Sequence, residues 1–372
     1  MSEFKPDLSV DIAGVKLRNP VILAAGPLGR DGETLKRAAI SGAGAVTTKT
    51  ICFEAAKVPR PCLIRVPGGL LNCEAHSDLD YEMWVEREIP KAKEGGVPVI
   101  ANVVSPKNKP REIEEITRGV TEAGADMVEL VTAYTLEPLP KLVKAAKRAT
   151  DVPVLVKISL ETFEMKATWK TLERSGVDGI SCLDTIGPCL AIDIESGEPI
   201  LGSLGGGCRL SGSAIKPIAV YQVASLARAV KIPVIGIGGI MRGGDAVEMM
   251  MAGARAVSVC TAAIIKGPDV LGRIAREIAS FMEKKRYKSV DEFVGLALNR
   301  IEKRERKGVV IYEGKTPEII YERCNLCGAC ERTCPYNAIT IVDKNLSINE
   351  NLCYGCGLCS TICPTGAIKR PY

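Results

Sequence analysis

Residues 324–335 read Cys-Asn-Leu-Cys-Gly-Ala-Cys-Glu-Arg-Thr-Cys-Pro, and residues 353–364 read Cys-Tyr-Gly-Cys-Gly-Leu-Cys-Ser-Thr-Ile-Cys-Pro. Both runs follow the spacing Cys-x2-Cys-x2-Cys-x3-Cys-Pro, so the C-terminal segment is an internal repeat. In bacterial two-cluster ferredoxins, three thiolates of such a run bind one 4Fe-4S cluster and the fourth reaches the other cluster. The sequence therefore predicts a small α+β bacterial-type ferredoxin domain with two 4Fe-4S clusters over residues 317–372.

The crossed arrangement assigns a ligand set to each cluster. We expect cluster one to bind Cys324, Cys327, Cys330 and Cys363, and cluster two to bind Cys353, Cys356, Cys359 and Cys334. A structural zinc module is the alternative, because zinc also takes four cysteine ligands per site. A zinc site does not require the crossed Cys-Pro pattern, so this pattern favours 4Fe-4S clusters.

Composition limits what else the chain can do. It has 372 residues, 46% of them hydrophobic, a net charge of +5 and 15 cysteines. No apolar run approaches the roughly 20 residues of a membrane-spanning helix. The N-terminus lacks the charged segment followed by an apolar segment that is typical of a secretory signal. We therefore expect a cytoplasmic protein without a membrane partner. The basic stretch 284–307 is interleaved with acidic residues, which argues against nucleic-acid binding.

Upstream of residue 285, short β-rich runs alternate with amphipathic helical stretches, as in a parallel sheet of βα units. The predicted strands are Val21–Gly26, Ala45–Thr50, Pro98–Val104, Asp126–Val131, Val152–Ser159, Gly179–Asp184, Pro233–Gly239 and Ala256–Ile264. Eight units suit the roughly 250 residues of a (β/α)8 TIM barrel. We predict a barrel over 1–285 and a helical linker over 286–316. The long connections after strands two and six leave the C-terminal ends of strands, where barrel enzymes build their active sites.

Glycines and a threonine follow the last two predicted strands, in Gly236–Ile240 and Val259–Ala262. Exposed backbone N–H groups and a Thr hydroxyl at this place suit a phosphate group, although Gly-rich turns also serve tight packing. Clusters that carry single electrons need a partner that also handles two-electron chemistry, and flavin does both. Lys49 and Lys157 at strand ends suit FMN, since a cation near the flavin N1/O2 edge stabilises the reduced anion. Structural ion pairs are the alternative for both lysines.

Several stretches resemble the FMN-binding barrel of the dihydroorotate dehydrogenases. They are Asn19–Gly26, Thr48–Thr50, Asn102, Lys157, Gly238–Ile240, Ala191–Leu201 and Leu210–Ala219. A barrel joined to a two-cluster domain is also similar to the FMN-containing subunit of bacterial dihydropyrimidine dehydrogenase. The resemblance implies FMN contacts at Ala25, Gly26, Lys49, Asn102, Lys157, Ser211, Gly212, Gly238, Gly239 and Thr261.

The chain departs from the family where the pyrimidine binds. The family's Glu-Leu-Asn-x-Ser-Cys-Pro-Asn after strand four is replaced by residues 129–136, so its proton-transferring Cys aligns with Tyr134 and both Asn are lost. The strand-six Asn-Thr has become Asp184-Thr185, and the Asn after strand two falls near Asp78. A carboxylate only accepts hydrogen bonds, whereas an amide donates and accepts. We therefore predict that orotate is not the substrate, unless the inserted segment 205–209, with Arg209, supplies replacement ligands.

These features predict an oxidoreductase for a small-molecule substrate with a C–C or C=C bond next to a carbonyl, with Tyr134, Lys157 and Asp184 as catalytic candidates. A phenol of pKa about 10 is a proton donor at neutral pH. Tyr134 could instead only pack, which would leave His76, Cys182 and Cys208. The alternatives are an enoate-type reductase of a non-pyrimidine substrate and an electron-transfer subunit of a larger complex.

The expected partners follow from what the chain lacks. It has no nicotinamide-binding fingerprint. We therefore expect an electron-donor or acceptor protein, either an NAD(P)H-flavoprotein subunit or a ferredoxin, and a homo- or hetero-oligomer.

Overall fold

The computed structural model describes residues 4–131, 138–160, 166–308 and 316–369. The chain divides into two compact units, Met1–Ile301 and Glu302–Tyr372. The predicted linker, 286–316, spans that division. Its first part packs into the barrel unit, because Val290 and Phe293 are buried in the barrel core. The domain bounds drawn from the sequence remain a prediction.

The first unit is a closed barrel of eight parallel strands, which confirms the predicted fold class. Each strand pairs with its neighbour in the chain, and the eighth pairs with the first. The barrel strands are Val21–Leu23, Ala45–Thr47, Val99–Val103, Met127–Leu130, Val154–Ile158, Gly179–Cys182, Val234–Ile237 and Ala256–Val259. The predicted eighth strand was too long: the chain leaves the sheet after Val259 and forms the helix Thr261–Lys266.

Sequence patterns explain these elements. All five residues of Val99–Val103 are buried, as expected for a parallel strand covered on both faces. The helix Pro110–Glu122 begins with a proline at its first position and buries Ile113, Ile116 and Val120, which recur at helical spacing. Gly124 follows the helix with φ +106°, a conformation that glycine adopts without steric cost.

The remaining helices of the barrel unit follow the strands in turn. Those of α type are Gly32–Ile40, Tyr81–Met83, Ile89–Lys93, Leu139–Ala149, Lys166–Arg174, Lys216–Ala229, Gly243–Met251, Thr261–Lys266 and Val270–Lys285, with Leu296–Arg306 crossing into the second unit. A π-helical turn spans Trp84–Glu88, and 3-10 turns span Pro27–Gly29, Leu204–Gly206, Ser213–Ile215 and Val290–Glu292.

Two sheets outside the barrel were not predicted. A hairpin pairs Val10–Ile12 with Val15–Leu17. The two long connections form a four-stranded antiparallel sheet in the order Ile186–Cys189, Cys208–Ser211, Gly69–Asn72 and Leu63–Val66. We call it the connection sheet. It joins segments far apart in the chain, beside the C-terminal ends of the barrel strands.

The second unit has the predicted α+β character. A hairpin pairs Ile339–Val342 with Asn345–Ile348, and the helices are Ala329–Thr333 and Leu358–Ile362, with a 3-10 turn at Tyr321–Arg323. Its small core contains Cys330, Ile339, Leu346 and Ile368. Among the described residues of both units, no helix is long and apolar enough to cross a membrane.

Candidate active site

A cavity of about 370 Å³ opens at the C-terminal ends of the barrel strands. Its wall combines residues at the C-terminal ends of all eight strands with residues of the connection sheet. It brings together the predicted cofactor residues Ala25, Gly26, Lys49, Lys157, Ser211, Gly212, Gly238, Gly239 and Thr261, and the catalytic candidate Asp184. These residues come from positions far apart in the sequence, and the barrel closes them around one space.

Lys49 is held at one side of the cavity by a carboxylate. Its Nζ forms an ion pair with Glu74, and its side chain is only 8% exposed. Burial lowers the pKa of Lys49, and the positive charge of Lys157 acts in the same direction. Glu74 also accepts a hydrogen bond from the thiol of Cys62 at 3.0 Å. The structural ion pair and the cofactor role are therefore compatible, since Lys49 still lines the cavity.

Lys157 and Asp184 face each other across neighbouring strands. Lys157 Nζ lies 3.9 Å from Asp184 Oδ2, with the lysine side chain 9% and the carboxylate 28% exposed. Asp184 also accepts a hydrogen bond from the backbone N–H of Thr185 at 2.6 Å. Cys260 lines the same cavity, and burial raises its pKa although the positive charges of both lysines oppose the rise. The cavity thus holds two lysine–carboxylate pairs and a neutral thiol.

Arg209 is the third cation of the cavity wall. Its guanidinium donates to the backbone oxygen of Thr185, at 2.6 Å from one terminal nitrogen, and to the Thr185 hydroxyl at 3.2 Å. Asn72 lies beside it and donates its side-chain amide to the Arg209 carbonyl at 3.2 Å. Sequence reasoning named Arg209 but missed Asn72 and Glu74. Their place in the long connection after strand two was the only signal available.

The part of the wall after strands seven and eight fits a phosphate-bearing cofactor. Thr261 donates its hydroxyl to Ser211 Oγ at 2.8 Å. Gly212, Gly238 and Gly239 have φ values of +96°, +114° and +75°. A Cβ on Gly239 would lie 2.4 Å from Lys216 Cβ, so the chain passes too close for any side chain. The hydroxyls and tightly turned glycine backbone offer donors without side-chain bulk, which is what a phosphate needs.

Asn102 is placed differently from the other predicted cofactor residues. It is fully buried in strand three and is not among the residues that line the cavity. Its amide nitrogen donates to Glu129 on the neighbouring strand, while its Oδ1 accepts no hydrogen bond from the described residues. Its contact with a cofactor remains a prediction.

The structure describes three of the four proton-donor candidates, His76, Cys182 and Cys208. Tyr134 lies outside the described residues; Val131, just after strand four, lines the cavity. His76 also lines it, and burial together with the charge of Lys49 lowers the pKa of His76, which favours the neutral ring. Cys182 is fully buried, and burial raises its pKa to about 12. Cys208 points into an apolar cluster of the connection sheet.

The eight cysteines of the second unit gather around two small cavities. One is lined by Cys324, Cys327, Cys330 and Cys363, and the other by Cys334, Cys353, Cys356 and Cys359. Each cavity thus takes three cysteines from one run and one from the other. Among the described residues, no three metal-ligating side chains converge on a single-ion site. The thiols surround a space, which is what a four-iron cube needs.

Backbone donors surround the crossing cysteines. Ala338 N–H donates to Cys334 Sγ at 3.4 Å, and Ala367 N–H donates to Cys363 Sγ at 3.3 Å. The two contacts are related by the internal repeat. Hydrogen bonds to sulfur stabilise the anionic thiolate and tune the potential of a bound cluster.

The chain matches two family models. One, described as "Dihydroorotate dehydrogenase", matches residues 7–282, and the other, described as "4Fe-4S dicluster domain", matches residues 323–367. The first match covers the barrel, and the second covers both cysteine runs.

Curated relatives carry the name "Dihydroorotate dehydrogenase B (NAD(+)), catalytic subunit". The protein from Methanothermobacter thermautotrophicus is 37% identical over 304 residues, covering 78% of this chain and 98% of the relative. The protein from Pyrococcus abyssi is 36% identical over 304 residues, covering 78% and 99%. The protein from Methanosarcina mazei is 38% identical over 306 residues, covering 78% and 95%. Nearly the whole of each relative is aligned, and part of this chain extends beyond it.

Proposed function

The chain belongs to the dihydroorotate dehydrogenase family, and from this premise we propose an oxidoreductase that uses FMN and two 4Fe-4S clusters. It adds or removes hydrogen across a carbon–carbon bond next to a carbonyl. The observation that carries the proposal is the cavity at the C-terminal face of the barrel, which is lined by the glycine-rich wall and by Lys49 and Lys157, whose side chains are almost entirely covered. FMN, when bound, exchanges two electrons with an organic substrate and single electrons with the clusters.

The protein's own residues have separate tasks in this proposal. Gly212, Gly238, Gly239 and Thr261 hold the phosphate. Lys49 and Lys157 place positive charge against the flavin, and their carboxylate partners limit how much of that charge is free. Tyr134 donates the proton to the substrate carbon. Arg209, fixed by Thr185, orients a carbonyl or carboxylate oxygen of the substrate.

We propose that the preferred substrate is a neutral ring or enone and not orotate. Asp184 lies in the cavity and is partly exposed, so an anionic substrate meets a like charge there. In the family, asparagine amides hydrogen-bond the N–H and C=O groups along the edge of a pyrimidine. This chain lacks those amides, so the groups of a bound pyrimidine stay unpaired and the site favours a pyrimidine less strongly. Arg209 lines the same cavity and carries a positive charge that a carboxylate can pair with, so orotate binding through Arg209 is the second candidate.

We also propose that electrons pass through the second unit to a separate protein. The relatives are named catalytic subunits of NAD(+)-dependent enzymes. The sequence of this chain has no nicotinamide fingerprint of its own. The partner is therefore a flavoprotein subunit with a nicotinamide site, or a ferredoxin.

Two measurements test the function. Anaerobically purified protein should contain about eight irons per chain from its two clusters and one FMN released on denaturation. Steady-state turnover with an artificial electron donor or acceptor should then be measured on dihydroorotate, dihydrouracil and a cyclic enone. Turnover of any of them makes the chain an enzyme, whereas FMN that is reduced and reoxidised with no substrate turned over would make it an electron relay.

A further inference from the structure

Four cysteines form a row across the connection sheet. Cys189 is paired directly with Cys208. The pairing of Arg209 with Asn72 places Cys208 opposite Cys73. The pairing of Leu63 with Asn72 places Cys73 opposite Cys62, and the Cys73 N–H donates to the Cys62 carbonyl at 3.0 Å. The row therefore runs Cys189, Cys208, Cys73, Cys62, with one cysteine from each strand or its immediate end.

Three cysteines of the row, Cys73, Cys189 and Cys208, lie on the face of the sheet that turns away from the cavity. Successive residues of a strand point to opposite faces, and directly opposed residues share a face. Asn72 and Arg209, the neighbours of Cys73 and Cys208, line the cavity. Cys73, Cys189 and Cys208 lie instead with the apolar cluster that contains Leu71 and Leu201. The thiol of Cys62 reaches Glu74 at the cavity wall. Cys208 is 5% exposed, and the other three are partly exposed, so a reagent can reach the row.

The directions of the thiols divide the row into two pairs. Cys208 Sγ lies 3.2 Å from the carbonyl oxygen of Cys189. Cys73 Sγ lies 3.5 Å from the carbonyl oxygen of Pro61, beside Cys62. Each of these thiols thus lies against the backbone of the neighbouring outer strand. Opposed residues of antiparallel strands have Cα atoms roughly 4.5–5.5 Å apart, which is within the range of about 4.4–6.8 Å found in disulfides.

We propose that this face of the connection sheet is a thiol redox site at which Cys189 pairs with Cys208 and Cys62 pairs with Cys73. The oxidant is a disulfide, R–S–S–R, of a small thiol or of a dithiol protein. A thiolate of one pair attacks one sulfur of R–S–S–R, forms a mixed disulfide and releases RS⁻. The second cysteine of the pair then loses its proton, attacks the first and displaces the other RS⁻. Each pair loses two electrons and two protons, and R–S–S–R becomes two RSH.

The order of attack within one pair follows from burial. Cys208 is buried, and burial together with its neighbours Cys189 and Cys73 raises its pKa. The thiolate is the nucleophile, so the more exposed Cys189 reacts first and Cys208 resolves the mixed disulfide. In the other pair, Cys62 is the hydrogen-bond donor to Glu74, the carboxylate that holds Lys49. The Cys62–Cys73 disulfide takes that donor away from the cavity wall.

The test is peptide mapping of the intact holoprotein. The protein is incubated without oxygen with glutathione disulfide, its free thiols are alkylated after denaturation, and it is digested without reduction. Cleavage at Arg65 separates Cys62 from Cys73, and cleavage at Glu195 separates Cys189 from Cys208. We expect cross-linked peptides for both pairs and the loss of four alkylated cysteines. Four alkylated thiols after the incubation, or a Cys73–Cys208 link, would overturn the proposal.

Two variants make the result specific. Cys189→Ser should abolish the Cys189–Cys208 link and leave the Cys62–Cys73 link unchanged; a new link from Cys208 to Cys73 would contradict the pairing. Cys52→Ser is the matched control, because Cys52 is buried outside the connection sheet and should leave both links unchanged. Links between the row and the cysteines of the second unit would show unfolding and would also count against the proposal.

Discussion

At the scale of single residues, the positive charge of each cavity lysine is balanced by a neighbouring carboxylate. Lys49 is paired with Glu74, and Lys157 lies 3.9 Å from Asp184. A lysine that is buried without a partner would lose its proton, because desolvation disfavours the charged form. Each carboxylate places a negative charge beside its lysine, which favours the charged form of that lysine. They also set the charge that a substrate meets.

Replacing Asp184 with asparagine should change which substrates the cavity accepts. Asparagine restores an amide and removes the negative charge, so an anionic substrate is no longer repelled. A like charge at a partly exposed position costs on the order of 1.4 kcal/mol, which is about tenfold in binding. We expect the ratio of kcat/KM for dihydroorotate to that for dihydrouracil to rise by about tenfold. Asp193→Asn, on an exposed turn of the same connection, is the control; an equal ratio in both variants would remove Asp184 from substrate selection.

Tyr134 is the residue on which the proton-transfer proposal depends, although it lies outside the described residues. Phenylalanine keeps the ring and removes only the acidic hydroxyl. Loss of a general acid typically costs about 100-fold or more in turnover. We expect Tyr134→Phe to lower kcat by that factor while reduction of the flavin through the clusters continues at its normal rate. Tyr221→Phe, on an exposed helix position, should change neither rate. Normal turnover in Tyr134→Phe would transfer the role to His76.

At the scale of elements, the turn after strand seven shows why the wall of the cavity needs glycine. Gly239 has φ +75°, and an added Cβ would meet Lys216 Cβ at 2.4 Å. A side chain there is strained by its backbone conformation and blocked by Lys216, the first residue of the helix Lys216–Ala229 that precedes strand seven. The same turn offers its backbone to the cavity. One element thus links packing to the proposed cofactor site.

Gly239→Ala should therefore lose both stability and FMN. A non-glycine residue in the left-handed region costs about 1–2 kcal/mol before the contact with Lys216 is counted. We expect a lower midpoint in urea and FMN well below one per chain after dialysis. Gly244→Ala is the matched control, because Gly244 is exposed in the following helix and its nearest neighbour, Arg242 Nε, is 3.9 Å away. Alanine favours a helix, so this control should be neutral or slightly stabilising. Full FMN retention in Gly239→Ala would place the phosphate elsewhere.

The crossed ligation of the clusters can be tested by counting iron in double variants. If Cys334 binds with Cys353, Cys356 and Cys359, then Cys334→Ala with Cys353→Ala disrupts one cluster, and about four irons should remain. Cys330→Ala with Cys334→Ala, both from the same run, should disrupt both clusters. Uncrossed ligation gives the opposite result for the two variants. Iron analysis under nitrogen distinguishes them without any activity assay.

The sequence predicts the elements better than it predicts their long-range partners. All eight barrel strands were found, because runs such as Val99–Val103 are apolar and short and alternate with amphipathic helices. The connection sheet was missed, because the pairing that unites its two halves, Gly69–Asn72 with Cys208–Ser211, joins residues more than a hundred positions apart. Asn72 and Glu74 were missed with it. Lys49 and Lys157 were found because they end strands, where the chemistry of a barrel is built.

At the scale of the whole molecule, two compact units divide the proposed work. The barrel unit has its own extensive core and its own cavity, whereas the second unit has a small core that several cysteines of the two runs help to form. Loss of the clusters should therefore unfold or loosen the second unit and leave the barrel intact. Mutation should therefore separate two steps: electron transfer between the substrate and the flavin, and electron transfer between the clusters and a partner protein.

The variant that combines Cys330→Ala with Cys334→Ala makes that separation. It should keep FMN and should still oxidise its substrate when a dye takes electrons directly from the flavin. Electron exchange with a reduced ferredoxin or a flavoprotein partner should fall to background, because single electrons enter through the clusters. Neither NADH nor NADPH should reduce the flavin rapidly in this variant or in the unmodified chain, since the sequence has no nicotinamide fingerprint. Stopped-flow absorbance of the flavin measures all of these rates. Rapid reduction by a nicotinamide, or ferredoxin-dependent turnover that survives loss of both clusters, would mean that electrons reach the barrel by another route.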